Sequence, residues 1–381
     1  MRIRRAVPVV LVAVLAGCGS PHRAPRPAPG PASAAAASGS AAAAVTPAPS
    51  VPGPTTAAPP GNPAGAATVP AEARAVDTSH PTRVVGTGTP DSCTSVAVVA
   101  AVAAGGIITF ACGPAPVTIS MSATAKVRNA NGPDVVLDGG GRVTLSGGGR
   151  HRILYQNTCD AAQGWTTSHC DNQETPRLTV QNLTFADGNA TGGTTDGGGG
   201  GAVFVRGGRF KVVNSRFLRN ECDRTGPDLG GAAIRVLDQY RGLPVYVVNS
   251  TFQGGTCANG GALSSIGVSW TVLNCVLAGN TAVGTGANPA RAGTPGGGSG
   301  GAIYLDGDLF AVTIAGTRIE DNHANEGGGA VFFVSNDRTG TLRIDGSTLR
   351  RNVSGRFETR GYPGIFFLGA RNPTVTGSVL R

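Results

Sequence analysis

Carboxylates recur at matching points of this sequence. Asp196, Asp228 and Glu326 each stand shortly before a Gly-Gly pair, while Asp306 and Asp308 follow the run Ile303-Tyr304-Leu305. Loops that return to one side of a fold would gather such acids along a single face. Two carboxyl groups flanking a bound sugar can act as acid and base, or as acid and nucleophile, depending on their separation. Asp306, Asp308 and Asp228 are therefore the catalytic candidates, with Asp196 and Glu326 as candidates for holding a substrate. Aromatic residues form a second pattern. Aligned repeat by repeat, Phe204, Ile234, Tyr304, Phe332 and Phe366 fall in one column. Facing outward, Phe204, Tyr304 and Phe332 would stack on sugar rings; facing inward they would join a core. No nucleophile elbow, phosphate loop or histidine-rich metal motif is present.

The elements that must carry these residues are repeats. Gly-Gly followed by Ala and an apolar run occurs at Gly200, Gly230, Gly260, Gly300 and Gly328. Each is followed by a second apolar run ending in Asn or Gly, with a large apolar residue three positions on. These pairs are Asn182/Phe185, Asn214/Phe217, Asn249/Phe252, Asn274/Leu277, Gly316/Ile319, Gly346/Leu349 and Gly377/Leu380. A constant core pattern with gaps of variable length is the signature of a solenoid. Asn at a repeated corner can bond its counterparts above and below, so Asn214, Asn249 and Asn274 read as structural. Ahead of the repeats, residues 94–104 read as a short helix capped by Asp91 or Ser92 and ended by Gly105-Gly106. Such a helix would cover the open end of the first repeat. The runs 107–111, 117–121, 135–137, 143–145 and 153–155 read as strands.

The ends differ in composition. Six of the 31 basic residues and one of the 22 acidic ones lie in the first 75 positions, so the remainder carries about +4. That balance is too even for a nucleic-acid footprint, which needs clustered cations. Residues 1–18 have a basic start, an apolar run too short to span a bilayer, and then Leu15-Ala16-Gly17-Cys18, as in an export signal. Residues 19–75, rich in Pro, Ala, Gly, Ser and Thr, read as a disordered tether. Residues 76–381 form the folded domain.

Of the other seven cysteines, Cys222 and Cys257 each lie five residues after a repeat phenylalanine, Phe217 or Phe252, and should meet on adjacent coils. Cys159 and Cys170 bracket a short insert, Cys93 and Cys112 flank the helix, and Cys275 is left over as a buried thiol. Export places these pairs where disulfides persist. Zinc on Cys159, His169 and Cys170 would want a fourth ligand that the spacing does not offer.

Two resemblances follow. Leu15-Ala16-Gly17-Cys18 resembles the lipobox of bacterial lipoproteins, which implies cleavage before Cys18, lipid on its sulfur and anchoring to the membrane at the cell surface. The repeats, among them Gly300-Gly301-Ala302-Ile303 and Phe217-Leu218-Arg219-Asn220, resemble the right-handed parallel β-helix proteins of the pectate lyase-like superfamily. They are also similar to the repeats of polymorphic outer-membrane proteins. The resemblance implies an all-β, right-handed parallel β-helix with a short N-terminal helical cap. For activity it implies either a polysaccharide lyase, with calcium and an arginine base, or a glycoside hydrolase. No run here matches a lyase's arginine or its calcium aspartates. The expectation is accordingly a lipid-anchored protein that binds extended polysaccharide or envelope partners without catalysis and without a cofactor.

Overall fold

The structure, a computed structural model, describes residues 58–193 and 197–381. Cys18 and Asp196 lie outside the described residues. Strands gather into a long sheet, an eight-stranded sheet and a four-stranded sheet. Every pairing between these strands is parallel.

One pass of the chain shows why. From Val203–Arg206 in the eight-stranded sheet it runs through Arg209–Val213 and Arg216–Leu218 in the long sheet. It then bridges at Glu221 to Thr256 and returns to Ile234–Leu237, beside its starting strand. The next pass repeats the order, so each strand meets its counterpart running the same way. Parallel pairs need such long returns.

The corner between the two long-sheet segments explains the alternation of Asn and Gly. Asn182, Asn214, Asn249 and Asn274 have φ of 52°, 48°, 47° and 54°, and Gly316, Gly346 and Gly377 have 59°, 50° and 56°. This left-handed region is open to glycine and tolerated by Asn. The asparagines also form a ladder: Asn249 donates to Asn214 and Asn214 to Asn182, each at 3.2 Å. Asn182 donates to Asp138 at 2.9 Å, where the ladder ends. Burial pushes Asp138 up, but hydrogen bonds from Gln181, Asn182, Gly140 and Thr78 outweigh it and hold the carboxyl below its ordinary range. A second ladder runs from buried Asn280 to buried Asn322 to half-buried Asn352 at 2.9 and 2.8 Å.

The residue after each corner adds a third column. Backbone N–H groups of Ser215, Ser250, Cys275, Thr317 and Ser347 donate to the side chains of Ser250, Cys275, Thr317, Ser347 and Ser378 at 3.0–3.4 Å. Cys275 is therefore the sulfur member of a hydroxyl column. Burial raises its thiol to about 12. Three residues past the corners, Phe185, Phe217 and Phe252 stack in the core with centroids 5.0 and 4.7 Å apart, continued by Leu277, Ile319, Leu349 and Leu380.

The N-terminal part departs from expectation in detail. Thr94, not Asp91 or Ser92, caps the helix Ser95–Ala104, accepting from the Ala97 N–H at 3.2 Å. Gly105 and Gly106, both at positive φ, stop it. Val98 and Val102 bury its apolar side against the first strands. An additional strand, Arg83–Val85, pairs with Gly106–Phe110. The runs 135–137 and 143–145 belong to one strand, Asp134–Ser146, with a register shift between Asp138 and Val143.

Residues 58–75, expected as part of the tether, belong to the folded unit with the residues from Val76 on. They form a strap along the long sheet. Asn62 donates to the Gly316 carbonyl at 2.8 Å, and Ala67 exchanges bonds with the Asn274 amide at 2.9 and 3.0 Å. Lys211 donates to the carbonyls of Glu72 and Arg74, and Val76 exchanges bonds with Gln181 at 2.8 and 2.9 Å. Ala73 packs on Val213, Val248 and Leu273. Composition alone suggests disorder, because few large apolar residues are present. Side-chain amides from the sheet instead bond the strap's backbone and hold it, although only Gly61 and Ala73 of it are buried.

Two predictions follow from the columns. Asn214→Gly keeps the corner and loses both its ladder bonds, costing about 2 kcal/mol, whereas Asn214→Ala adds left-handed strain and costs about 3 kcal/mol. Cys275→Ser should stay within about 1 kcal/mol of the parent, while Cys275→Val orphans the Ser250 N–H and costs about 1–3 kcal/mol. Urea unfolding of the purified chain ranks all four; equal costs within either pair would contradict the column assignments.

Candidate functional site

Side chains alternate across the eight-stranded sheet. Val203, Val205, Ile234, Leu263, Ile303, Leu305, Val331 and Phe333 enter the core. Their neighbours form a row on the opposite face, paired in register: Tyr155, Phe204, Arg235, Ser264, Tyr304, Phe332 and Phe366. Arg235, not Ile234, is thus the member of this column in its pass. The Gly-Gly pair misleads there, because the left-handed turn equivalent to Gly200, Gly260, Gly300 and Gly328 falls on Gly231, one residue later than the pair suggests. The row points away from the core, yet loops cover most of it, and Phe204, Tyr304 and Phe332 are 0–2% exposed. Phe204 stacks on Tyr155 at 5.4 Å under the Arg152 guanidinium and is closed to any ligand.

Toward the C-terminal end the cover opens into a cleft of about 500 Å³. Its floor is Phe332 and Phe366, stacked at 5.1 Å, with Phe357 edge-on to Phe366 at 4.9 Å. One lip is Pro227 and Asp228, the other Asn288, Pro289 and Ala290; Asp306 and Asn336 stand beside the floor. The structure therefore brings together Asp228, Asp306 and Phe332 of the expected residues, with Tyr304 directly behind.

A chain of hydrogen bonds sets this geometry. The Asn288 amide donates to the Tyr304 hydroxyl and to the Pro227 carbonyl. Tyr304 donates to Asp306 Oδ2 at 3.1 Å, and Asp306 Oδ1 accepts from the Gly307 N–H at 2.7 Å and Asn336 at 3.1 Å. Burial, then the charge of Asp306, pushes the Tyr304 phenol well above its usual value, so it serves as a donor and not as a base. Beneath the Asp228 lip lies Arg235, 2% exposed, which donates to the Asp228 carbonyl at 2.6 Å and to Ser264 Oγ at 2.5 Å. Burial lowers its guanidinium to about 10. It remains charged at neutral pH and is sealed from the cleft. It holds the lip by the backbone and leaves the Asp228 carboxylate exposed.

Chemically the two carboxylates are unequal. Asp306 spends three of its roughly four acceptor sites on protein donors. Among the described residues, the Asp228 carboxylate meets only the Asn288 amide, at 3.5 Å. Calcium, which wants six to eight oxygens, does not fit here, since protein N–H and O–H groups already occupy the Asp306 lone pairs. The remaining candidates lie elsewhere. Asp308 is exposed beyond the Gly307 turn, its carbonyl accepting from Ser335. Glu326, 2% exposed, accepts both Arg291 Nη atoms at 2.8 Å and the Gly286 N–H at 2.8 Å, clamping the loop that carries Asn288. A smaller cavity of about 240 Å³ beneath the strap is lined by Glu72, Arg177 and Lys211, the last holding strap carbonyls.

The cysteines stand at disulfide-bonding distance in three pairs. Cα separations are 5.7 Å for Cys93–Cys112, 4.9 Å for Cys159–Cys170 and 4.8 Å for Cys222–Cys257. Asn288, Asn336 and Phe357 are cleft residues that sequence reasoning does not find. They sit in loops of unequal length, outside any repeated spacing.

The Glu326 clamp is testable through pH. The Arg291 hydrogen bond holds the Glu326 carboxyl below its ordinary range. Its contribution is therefore complete above the unfolded value, about 4.3, and is lost as pH falls through the lower folded value. Glu326→Gln should make residues 284–298 several-fold more susceptible to limited proteolysis at pH 7, and acid should do the same to the parent. Unchanged cleavage in both would remove the clamp.

Comparison of the chain with protein-family models, with curated proteins and with solved structures finds no match.

Proposed function

We propose that this chain is a lipid-anchored, surface-displayed right-handed parallel β-helix of the pectate lyase-like kind. It binds extended polysaccharide, or an envelope partner bearing one, without catalysis. The observation that carries the reading is the cleft on the outer face of the eight-stranded sheet. Phe366, the half-buried end of the aromatic stack, with Phe357 edge-on beside it, offers an apolar surface that suits a sugar ring, while Asp228 and Asp306 stand nearby to accept hydroxyl hydrogens. The floor follows the direction in which strands stack, so a linear polymer can lie along it. The parallel sheets and repeated corners support the fold assignment, and Leu15-Ala16-Gly17-Cys18 supports the anchor.

A second reading, a glycoside hydrolase or polysaccharide lyase, draws on the two carboxylates sharing one cleft. The hydrogen bonds already satisfying Asp306 weigh against its acting as the mobile acid or base.

A glycan array probed with the purified chain should show retention of at least one linear polysaccharide. Phe366→Ala should weaken it about tenfold or more, since losing an aromatic platform costs on the order of 1–3 kcal/mol. Retention unaffected by Phe366→Ala would move the site elsewhere. New reducing ends or unsaturated uronates that vanish in Asp228→Asn would establish the enzymatic reading instead. Cys18→Ala should abolish fatty-acid labelling.

A further inference from the structure

The cleft is unusual in its polar lining. Among the described residues that form it, the charged groups are Asp228 and Asp306, and no Lys or Arg is present. Its donors are mostly committed, leaving one Asn336 N–H. Asn336 donates to Asp306, and the Asn288 amide donates to Pro227 and Tyr304. What else remains is acceptors: the exposed Asp228 carboxylate, the last free site on Asp306, and the Asn288 side-chain oxygen, which is buried without a donor. Arg235, the nearest buried cation, faces away behind the Asp228 carbonyl and cannot neutralise the cleft by contact.

A ligand for an acceptor-rich, donor-poor site must bring donors. A hydroxyl brings one donor together with lone pairs that need partners of their own, whereas an ammonium brings three donors and no acceptor. An ammonium is also attracted to an accessible aromatic ring such as Phe366. A uronate would place a third carboxylate against two that only the charge of the buried Arg235 offsets, which selects against it. Building on the polysaccharide reading above, we infer that the cleft is selective for a cationic amino-sugar polymer, one whose 2-amino groups are free and protonated. Asp228 acts as the specificity residue and Phe366 as the platform, with Phe332 stacked behind it.

Calorimetric titration of the full chain in mildly acidic buffer, using equal-length hexamers, tests this. The probes are β-1,4-linked glucosamine, its N-acetylated form and galacturonate. The glucosamine hexamer should bind at least tenfold tighter than the N-acetylated one, with no binding of galacturonate. Asp228→Asn should reduce the glucosamine preference to less than threefold. Ala290→Lys, which introduces a cation at the opposite lip, should do the same by an independent route. Equal or tighter binding of the N-acetylated hexamer, or any binding of galacturonate, overturns the amino-sugar assignment and leaves the polysaccharide reading standing. Binding of none of the three overturns both. Hexalysine binding as tightly as the glucosamine hexamer would assign the cleft to basic peptides and also overturn the proposal.

Discussion

Hydrogen bonding between successive passes is the constraint on which this molecule rests. Each pass leaves a full set of backbone donors and acceptors exposed along its edge, and the next pass satisfies them only if it repeats the same path. Corners therefore cannot drift. A residue in the left-handed region must be followed, one pass later, by another that tolerates it, hence Asn or Gly at each recurrence from Asn182 to Gly377. Side chains inherit the same repetition. Amides meet amides, hydroxyls meet hydroxyls, and phenyl rings stack within 5 Å. Individually these contacts contribute about 1 kcal/mol, but an unpartnered member costs more, so the columns enforce register as well as adding stability.

The outer face escapes this discipline because loops, not neighbouring passes, cover it. That freedom permits an arginine, a serine and five aromatic rings in a single row. Where the loops close, Phe204 and Arg235 are sealed; where they part, Phe332 and Phe366 become the floor of a cleft. Positioning groups such as Glu326 and Arg235 act on loop backbones, so the geometry of the cleft is set by residues that do not line it.

Legibility in the sequence follows the same division. The parallel strands, the left-handed corners and the Cys222–Cys257 pair were readable because each depends on a spacing that the pass-to-pass bonding holds constant. The hydroxyl column including Cys275 was equally present in the text, one position after every corner, and was overlooked because a lone cysteine invites no comparison with serine. Phase on the eight-stranded sheet was misjudged at Ile234 because two glycines look alike in sequence while only Gly231 takes the turn. Asp228 and Asp306 were found as a pair, but Asp308 was not separable from them without the Gly307 turn. Asn288, Asn336 and Phe357 could not be read at all: nothing in a loop's own residues states which strand it will cover. The strap misled for another reason, since its order comes from partners up to 254 positions away.

That strap also decides how the molecule bears load. A pull arriving from the N-terminal side enters at Ala58, beside Arg216, midway along the flank of the long sheet. It is shared sideways among the amide clasps at Asn274, Gly316, Lys211 and Gln181 before any of it reaches the first helix. Bonds loaded together in shear yield at higher force than bonds peeled one at a time. The flank thus serves as a strain relief, as a cable clamp does for a soldered joint, and leaves the capped end of the stack unstressed.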